Sequence, residues 1–494
     1  MAGIGFELRK LVIGRGAIRK IRAYAYAGVI TSGTMLLASL LLLGIQGIAK
    51  GVGAPEHERD TLVVMMIYAL LFSMILTGCF QTFLSRYTAD MLYREKPERV
   101  MPSLIGASLT LMLPGGLLYG LLLWKAPQIE LLDRLLNWVF FMELIPFWLE
   151  MSYITAAKEY KRILLIFLLG VGLTLGLGWG LCAAGLRAIT ALLLALVVGY
   201  GVMLTGFMGV LLRYFPAGSG SVMAYLSALD ETADLLLTGF ALMLGAFIHM
   251  MLMWFSPLGT SVTGPFRQAA SFDAAAFYAF LVTVPANINF IVSVEVNFYE
   301  KYRDYFSAIT GGGTLREMNR ARDSMTLVLR QELFKLLYVQ LFFMTLHVVL
   351  MRFWLERIGF TTEMIAMFQV MSIGYSGYAI GNCVLLLQLY FNDRKGAMGT
   401  ALIFCMTNLI VTLLTMNGKP LYYGVGLVAA GIAMFGFGLP RLLYYVKDID
   451  YHVFCAQPVL AETRSGFWTR LTMRLDAGAR GSRPQKTHAK EAQA

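Results

Sequence analysis

Charge is scarce in this sequence. Asp, Glu, Lys and Arg make up 14% of its 494 residues, against roughly 25% in a typical soluble domain. Hydrophobic residues make up 58%. A chain folded in water cannot hide that much apolar surface, whereas a chain solvated by lipid does not have to, so a soluble globule is excluded. Cysteine is sparse as well: Cys79, Cys182, Cys383, Cys405 and Cys455, with no CxxC pair and no Cys/His cluster. That excludes a disulfide framework and a structural zinc site and leaves the thiols as small packing groups. No GxxxxGK[ST] run is present, which excludes ATP hydrolysis by a P-loop, and no GxGxxG follows a strand. A membrane glycosyltransferase needs a carboxylate cluster for its metal and nucleotide sugar. The only Asp-x-Asp is Asp448-Ile449-Asp450, directly after the last apolar segment and without room for a catalytic domain. No enzyme, cofactor or metal site is therefore expected.

What is present is length of apolar run. A membrane span takes about 20 apolar residues, and twelve segments qualify: 24–48, 62–84, 103–124, 137–157, 163–184, 188–212, 235–256, 275–296, 333–352, 365–390, 398–416 and 424–446. The first is too long for a signal-peptide core and lacks a cleavage site, so it reads as a retained helix. The fifth and sixth are separated only by Gly185-Leu186-Arg187. An apolar run of that length has to turn somewhere. The 49 glycines suit close helix packing.

The net charge of +11 follows topology rather than nucleic-acid binding. With an even number of spans both termini share one side. That side carries 30 Lys and Arg and the other carries 9, with Lys335 and Arg441 inside span ends. The asymmetry predicts cytoplasmic termini. The expected architecture is all-α and polytopic, with about 12 transmembrane helices in two six-helix bundles. A cytoplasmic amphipathic segment covers 1–23, the first bundle 24–212, a Pro/Gly/Ser linker 213–234, and the second bundle 235–446 with a charged loop at 297–332. A basic tail covers 447–494. Residues 5–22, and more briefly Phe467, Trp468, Leu471 and Leu475 among arginines, have the pattern of helices lying on an anionic leaflet.

Polar groups inside spans are the functional candidates, because a charge at mid-bilayer costs about 2.5–3.5 kcal/mol on insertion scales and usually faces a cavity or a partner. Glu143 and Glu150 are seven residues apart in the fourth span, share one helix face and flank Pro146. Such a face suits a cationic substrate or a proton. The eighth span holds Pro285, Asn287, Asn289 and Glu295, the pattern of a bent helix that exposes amides for a sugar or for a neighbouring helix. Tyr375, Tyr378 and Asn382 in the tenth span offer stacking faces and hydrogen bonds. His249, in mid-span of the seventh, is either a titrating group or a packed one. Lys301, Arg303, Arg316 and Arg320 in the charged loop are candidates for docking a partner.

Residues 1–10 (MAGIGFELRK), 23–28 (AYAYAG) with Thr31-Ser32-Gly33, 295–303 (EVNFYEKYR) and 311–315 (GGGTL) together resemble the Pel exopolysaccharide transporter family, PelG, over about residues 1–455. The resemblance implies a flippase-like protein of the MATE/polysaccharide flippase (MOP) superfamily in the bacterial inner membrane. It implies export of a cationic, amino-sugar-rich biofilm polysaccharide. It also implies membrane partners and a cytoplasmic glycosyltransferase, PelD, PelE and PelF in that family's naming. Two alternatives remain open: a cation-coupled exporter of lipid-linked oligosaccharides or small molecules, and a membrane scaffold for a polysaccharide synthase.

Overall fold

The computed structural model describes residues 37–157, 159–216, 218, 221–455 and 466–479. The amphipathic segment 1–23 and the motif residues up to Gly33 lie outside the described residues. In chain order the first bundle comprises α1 (Leu37–Gly51), α2 (Glu56–Tyr93), α3 (Val100–Trp124), α4 (Leu131–Ala157), α5 (Tyr160–Ala183) and α6 (Ala188–Tyr214). The second begins with α7 (Leu229–Met253) and a hairpin, β1 (Thr260–Thr263) and β2 (Phe266–Gln268). It continues through α8 (Ala270–Phe280), α9 (Thr283–Ile291), a π-helical segment Val292–Phe298 and α10 (Tyr299–Thr310). It ends with α11 (Leu315–Arg357), α12 (Thr362–Tyr390), α13 (Arg394–Thr415), α14 (Val425–Lys447), α15 (Ile449–Phe454) and α16 (Phe467–Ala479).

Among the described residues, ten helical stretches are long and apolar enough to cross a membrane. The described part of α1 is a shorter apolar helix, and α4, which carries Glu143 and Glu150, has 27 residues. These two bring the count to about twelve. The chain turns sharply between α5 and α6, where Gly185 has φ of +91°, a backbone region that favours glycine. Arg187 then anchors the corner: it pairs with Glu130 and lies 3.8 Å from Glu58 and from Asp133, whose other oxygen accepts from Thr190 Oγ1 at 2.6 Å.

Two features depart from a plain reading of twelve straight spans. The eighth span is broken: α8 stops at Phe280, α9 restarts at Thr283, and the helix then widens into the π segment. The charged stretch 315–332 is continuous with the ninth span in one 43-residue helix, about 65 Å long at ~1.5 Å per residue and twice the ~30 Å hydrocarbon thickness. Its start is fixed by a capping box in which Glu317 N donates to Thr314 Oγ1 and Thr314 N donates to Glu317 Oε2.

At the cation-rich end, three acidic residues tie elements together. Asp393 caps α13 through the Gly396 N–H and accepts two bonds from Arg441, at 2.8 and 3.0 Å. Asp450, of the Asp-x-Asp run, accepts from Tyr305 Oη at 2.6 Å and pairs with Arg322, so it joins α10, α11 and α15. Asp230, in the first turn of α7, receives the backbone N–H groups of Trp468 and Thr469 and the Thr469 hydroxyl, which docks the N-terminus of α16.

The two bundles meet where α2 crosses α7. An ideal Cβ built on Gly239 stands 2.1 Å from the Gly78 carbonyl oxygen, and one on Gly78 stands 2.4 Å from Met243 Cγ. No side chain fits between these backbones. Overpacking a tight contact typically costs about 1–3 kcal/mol, so Gly239→Ala should lower the thermal midpoint in detergent and Gly239→Leu should prevent recovery of a monodisperse protein. Gly209→Ala, at a helical glycine with nothing within 4 Å of the added carbon, should leave the midpoint unchanged or slightly raised. Fluorescence-detected size-exclusion after a heating series reads both.

Candidate functional site

A cavity of about 720 Å³ lies between the bundles, towards the cation-poor end. The first bundle contributes Gln46 and Lys50 at the end of α1 and Glu56, Arg59 and Asp60 at the start of α2. The second contributes Gln268 of β2, Asp273 and Tyr278 of α8, Trp354 of α11 and Tyr375 of α12. Three carboxylates and two cations therefore share a wall that is otherwise aliphatic and aromatic. A concave, largely apolar site with a few convergent polar groups is the usual form of a binding site.

Asp273 is the most firmly held of these groups. It is 8% exposed. Trp254 Nε1 donates to both carboxylate oxygens, at 3.2 and 3.0 Å, and the Ala269 N–H donates to Oδ2 at 3.2 Å. Trp254 in turn stacks on Tyr68 of α2, with centroids 4.5 Å apart and planes 10° apart. The Tyr68 hydroxyl donates to the Arg267 carbonyl and accepts from the Arg267 N–H, both at 3.1 Å, and Arg267 Nε donates to the Trp254 carbonyl. Thr61 and Thr263 share a hydroxyl contact at 3.0 Å. The hairpin thus carries second-bundle groups onto the first bundle, turning at Gly264 with φ of +57°. Asp273 precedes the expected eighth span by two residues, and it was missed for that reason. The available signal was a carboxylate beside Ala270 and Ala274–276, a run of small residues that lets a neighbouring backbone or a ligand approach.

Of the expected path residues, Tyr375 is on the cavity wall, and the others are placed elsewhere. Glu143 and Glu150 lie inside the first bundle. The Glu143 carboxylate sits against Gly201 of α6, where a built Cβ would be 3.4 Å from Oε1. Among the described residues, Glu143 Oε2 and both oxygens of Glu150 have no hydrogen-bond partner, and Glu150 is fully buried. Their helix face is shared, and at Glu143 it meets Gly201 of α6 within the first bundle. His249 is fully buried and saturated: Asn408 Nδ2 donates to its Nδ1, and its Nε2 lies 3.2 Å from Tyr375 Oη. The Asn408 orientation is set by Thr412, which donates to Oδ1. Tyr378 stacks on Phe404 within the second bundle. Asn287 is half-buried on α9, while among the described residues buried Asn289 leaves Nδ2 unpartnered, as half-buried Asn382 leaves Oδ1. Glu295 lies on the π segment, and its side chain is outside the described residues. Gln340 of α11 reaches the break in the eighth span, where Nε2 donates to the freed Val282 carbonyl at 3.0 Å and to Ser376 at 3.1 Å. Lys301 pairs with Asp304 at 3.6 Å, and Arg303, Arg316 and Arg320 are exposed.

A buried carboxyl group without a partner lowers stability, so Glu150 stands out as a residue whose presence packing does not explain. Glu150→Met, close in volume and free of polar atoms, should raise the thermal midpoint in detergent by several degrees while lowering export. An unchanged or lower midpoint would show that its oxygens are solvated. Such opposition between stability and activity marks functional positions.

The comparisons with known proteins agree with this architecture. The chain resembles an outward-facing multidrug resistance MATE family transporter of the MOP superfamily, at 11% identity and a TM-score of 0.56, with 91% of this chain and 99% of that one covered. It also resembles a MATE protein in the straight conformation (14%, 0.55, 91% and 99%) and a eukaryotic MATE transporter (12%, 0.55, 87% and 99%). At these identities the likeness concerns the fold. No curated protein gives a significant sequence match. The family model PelG, described as "Putative exopolysaccharide Exporter (EPS-E)", matches residues 1–454. Both the family and the structural neighbours are exporters and transporters rather than enzymes. With a match over that much of its length, the chain belongs to the PelG family of exopolysaccharide exporters.

Proposed function

We propose that the chain exports a Pel-like, cationic amino-sugar polymer for a biofilm across the bacterial inner membrane, and that the polymer passes between the two bundles along the cavity that contains Asp273. The supporting observation is the cavity's chemistry. Tyr278 and Trp354 offer aromatic faces of the kind sugars stack on, Gln46 and Gln268 offer amides, and the carboxylates Asp273, Glu56 and Asp60 outnumber Lys50 and Arg59. Asp273 is held by two fixed donors, Trp254 Nε1 and the Ala269 N–H, so it meets an arriving ammonium without having to reorganise.

The distribution of Lys and Arg, 30 on the side that carries the termini against 9 on the other, supports cytoplasmic termini. The cavity then lies towards the periplasm. The opposite end presents Arg303, Arg316 and Arg320 on α10 and α11, interleaved with the exposed carboxylates Asp304, Glu317 and Asp323, a surface of alternating charge that suits polar partners. PelD, PelE and the glycosyltransferase PelF are the partners this reading names. Glu143 and Glu150 serve export from within the first bundle rather than by touching the polymer.

Asp273→Asn keeps the shape and can still accept from Trp254, but it removes the charge. It should lower secreted polymer by about an order of magnitude at unchanged membrane levels of the protein, since a charge-assisted hydrogen bond is worth about 1.5–3 kcal/mol. Wild-type secretion from that variant would remove Asp273 from the path. Export of small cationic dyes from proteoliposomes under an imposed cation gradient, at a rate that Asp273→Asn abolishes, would favour the alternative of a cation-coupled small-molecule exporter.

A further inference from the structure

A second cavity, of about 260 Å³, lies on the outside of the second bundle. Of the ten membrane-crossing stretches, α11 is the least buried, with 17% of its apolar window inside the protein against 33–61% for the others. It packs on α12 but stands apart from α14, which leaves a slot between α11 and α14. Phe334 and Leu337 form one wall, Leu439 and Leu443 the other, and Val384 of α12 lies at the base. Phe334 is 69% exposed, Leu337, Leu439 and Leu443 are half-buried, and Val384 is fully buried. An aromatic ring this exposed belongs in hydrocarbon.

The single charged residue on the slot is Arg330, one helical turn before Phe334 and towards the cation-rich end. Among the described residues no carboxylate pairs with it, although Lys335 nearby is neutralised by Glu332. Lys447, one turn beyond Leu443 on the same face of α14, is exposed and likewise has no ion pair among the described residues. The slot is thus apolar along its length and cationic at one end. The volume is below the ~300–1,000 Å³ of typical small-molecule sites and fits one hydrocarbon chain better than a ring system. Basic groups where a transmembrane groove meets the headgroup layer favour anionic lipids, each Lys or Arg contributing modestly.

We propose that this slot binds an anionic phospholipid, with one acyl chain between α11 and α14 and the phosphate on Arg330 and Lys447. The bound chain fills the gap that α11 leaves and ties that helix to the bundle. The proposal is independent of what the protein transports.

The test uses the full chain purified in neutral detergent, with a thermal-unfolding series in mixed micelles of phosphatidylglycerol or phosphatidylcholine and native mass spectrometry of the retained lipid. Phosphatidylglycerol should raise the midpoint and remain bound, and phosphatidylcholine should do neither. Arg330→Gln should weaken phosphatidylglycerol binding about fivefold. Leu439→Trp, which fills the slot, should abolish the shift with Arg330 intact. If that variant misfolds, Phe334→Ala, which opens an exposed wall, should weaken retention of the lipid. Lys301→Gln, on another helix, should bind as the wild type does. Equal stabilisation by the two lipids, an Arg330→Gln protein that binds like wild type, a shift produced by inorganic phosphate alone, or preferential retention of a polyprenyl phosphate would each overturn the proposal.

Discussion

The backbone contact between Gly78 and Gly239 sets the geometry on which the other features depend. In a bilayer, helices gain little from apolar burial against one another, because lipid tails are equally apolar. Close approach of backbones is what holds two bundles together, and small residues permit it. Here α2 and α7 come near enough that a single Cβ would collide with a carbonyl oxygen. With that crossing fixed, the two bundles part on one side of it. Towards the cation-poor end the gap becomes the cavity containing Asp273, and its rim is bridged by the hairpin that Tyr68 holds through Trp254 and Arg267. The same two helices therefore form both the pivot and part of the cavity wall.

On the other side of the crossing the chain is braced differently. The linker between the bundles is anchored on the first bundle by the Tyr225 hydroxyl, 2.8 Å from Thr110 Oγ1, and by Val222, whose carbonyl would meet a Cβ on Gly106 at 2.1 Å. α16 then packs on the linker with its N-terminus at Asp230. A carboxylate at a helix N-terminus satisfies the orphan N–H groups and complements the helix dipole. This brace, residues 466–479, lies beyond the 1–454 that the family model matches. It grips the one connection that must accommodate any rotation of one bundle against the other.

The helix count was legible because it rests on run length, which the bilayer imposes directly. Even the three-residue break at Gly185-Leu186-Arg187 is a real corner, since Arg187 finds three carboxylates there. The cavity was harder to read. Spacing shows that Glu143 and Glu150 share a face, but helical periodicity carries no information about which neighbour that face meets. Asp273 was concealed for a related reason: hydropathy favours the middle of a span, whereas the cavity opens near span ends, where carboxylates resemble ordinary loop residues. Pro285 and its neighbouring amides signalled a broken eighth span. The break lies a few residues earlier, at 281–282, where Gln340 from a distant helix takes up the freed carbonyl, a partnership that local sequence cannot reveal.

The polar groups inside the membrane sort into two kinds. His249, Asn408, Thr412 and Tyr375 form a closed set in which each hydrogen bond fixes the next, and Gln388 likewise bridges Thr400 and the Gly438 carbonyl. Such networks specify helix register, and losing one member leaves the rest orphaned. Glu143, Glu150 and Asn289 instead keep buried atoms without a partner among the described residues, an arrangement that costs stability. Asn289 lies on α9, three residues before the π segment begins at Val292. Pro146 lies between the two glutamates and deprives α4 of one internal hydrogen bond. In each bundle, then, a helix whose internal hydrogen bonding is interrupted carries buried polar atoms that are unpaired among the described residues: α4 with Glu143 and Glu150, and α9 with Asn289. Interruptions of this kind let a helix adopt more than one shape, and an unpaired group supplies a reason for one shape to be preferred when something binds to it. The closed networks hold the helices of the second bundle in register, and the unpaired groups sit on helices that can still yield.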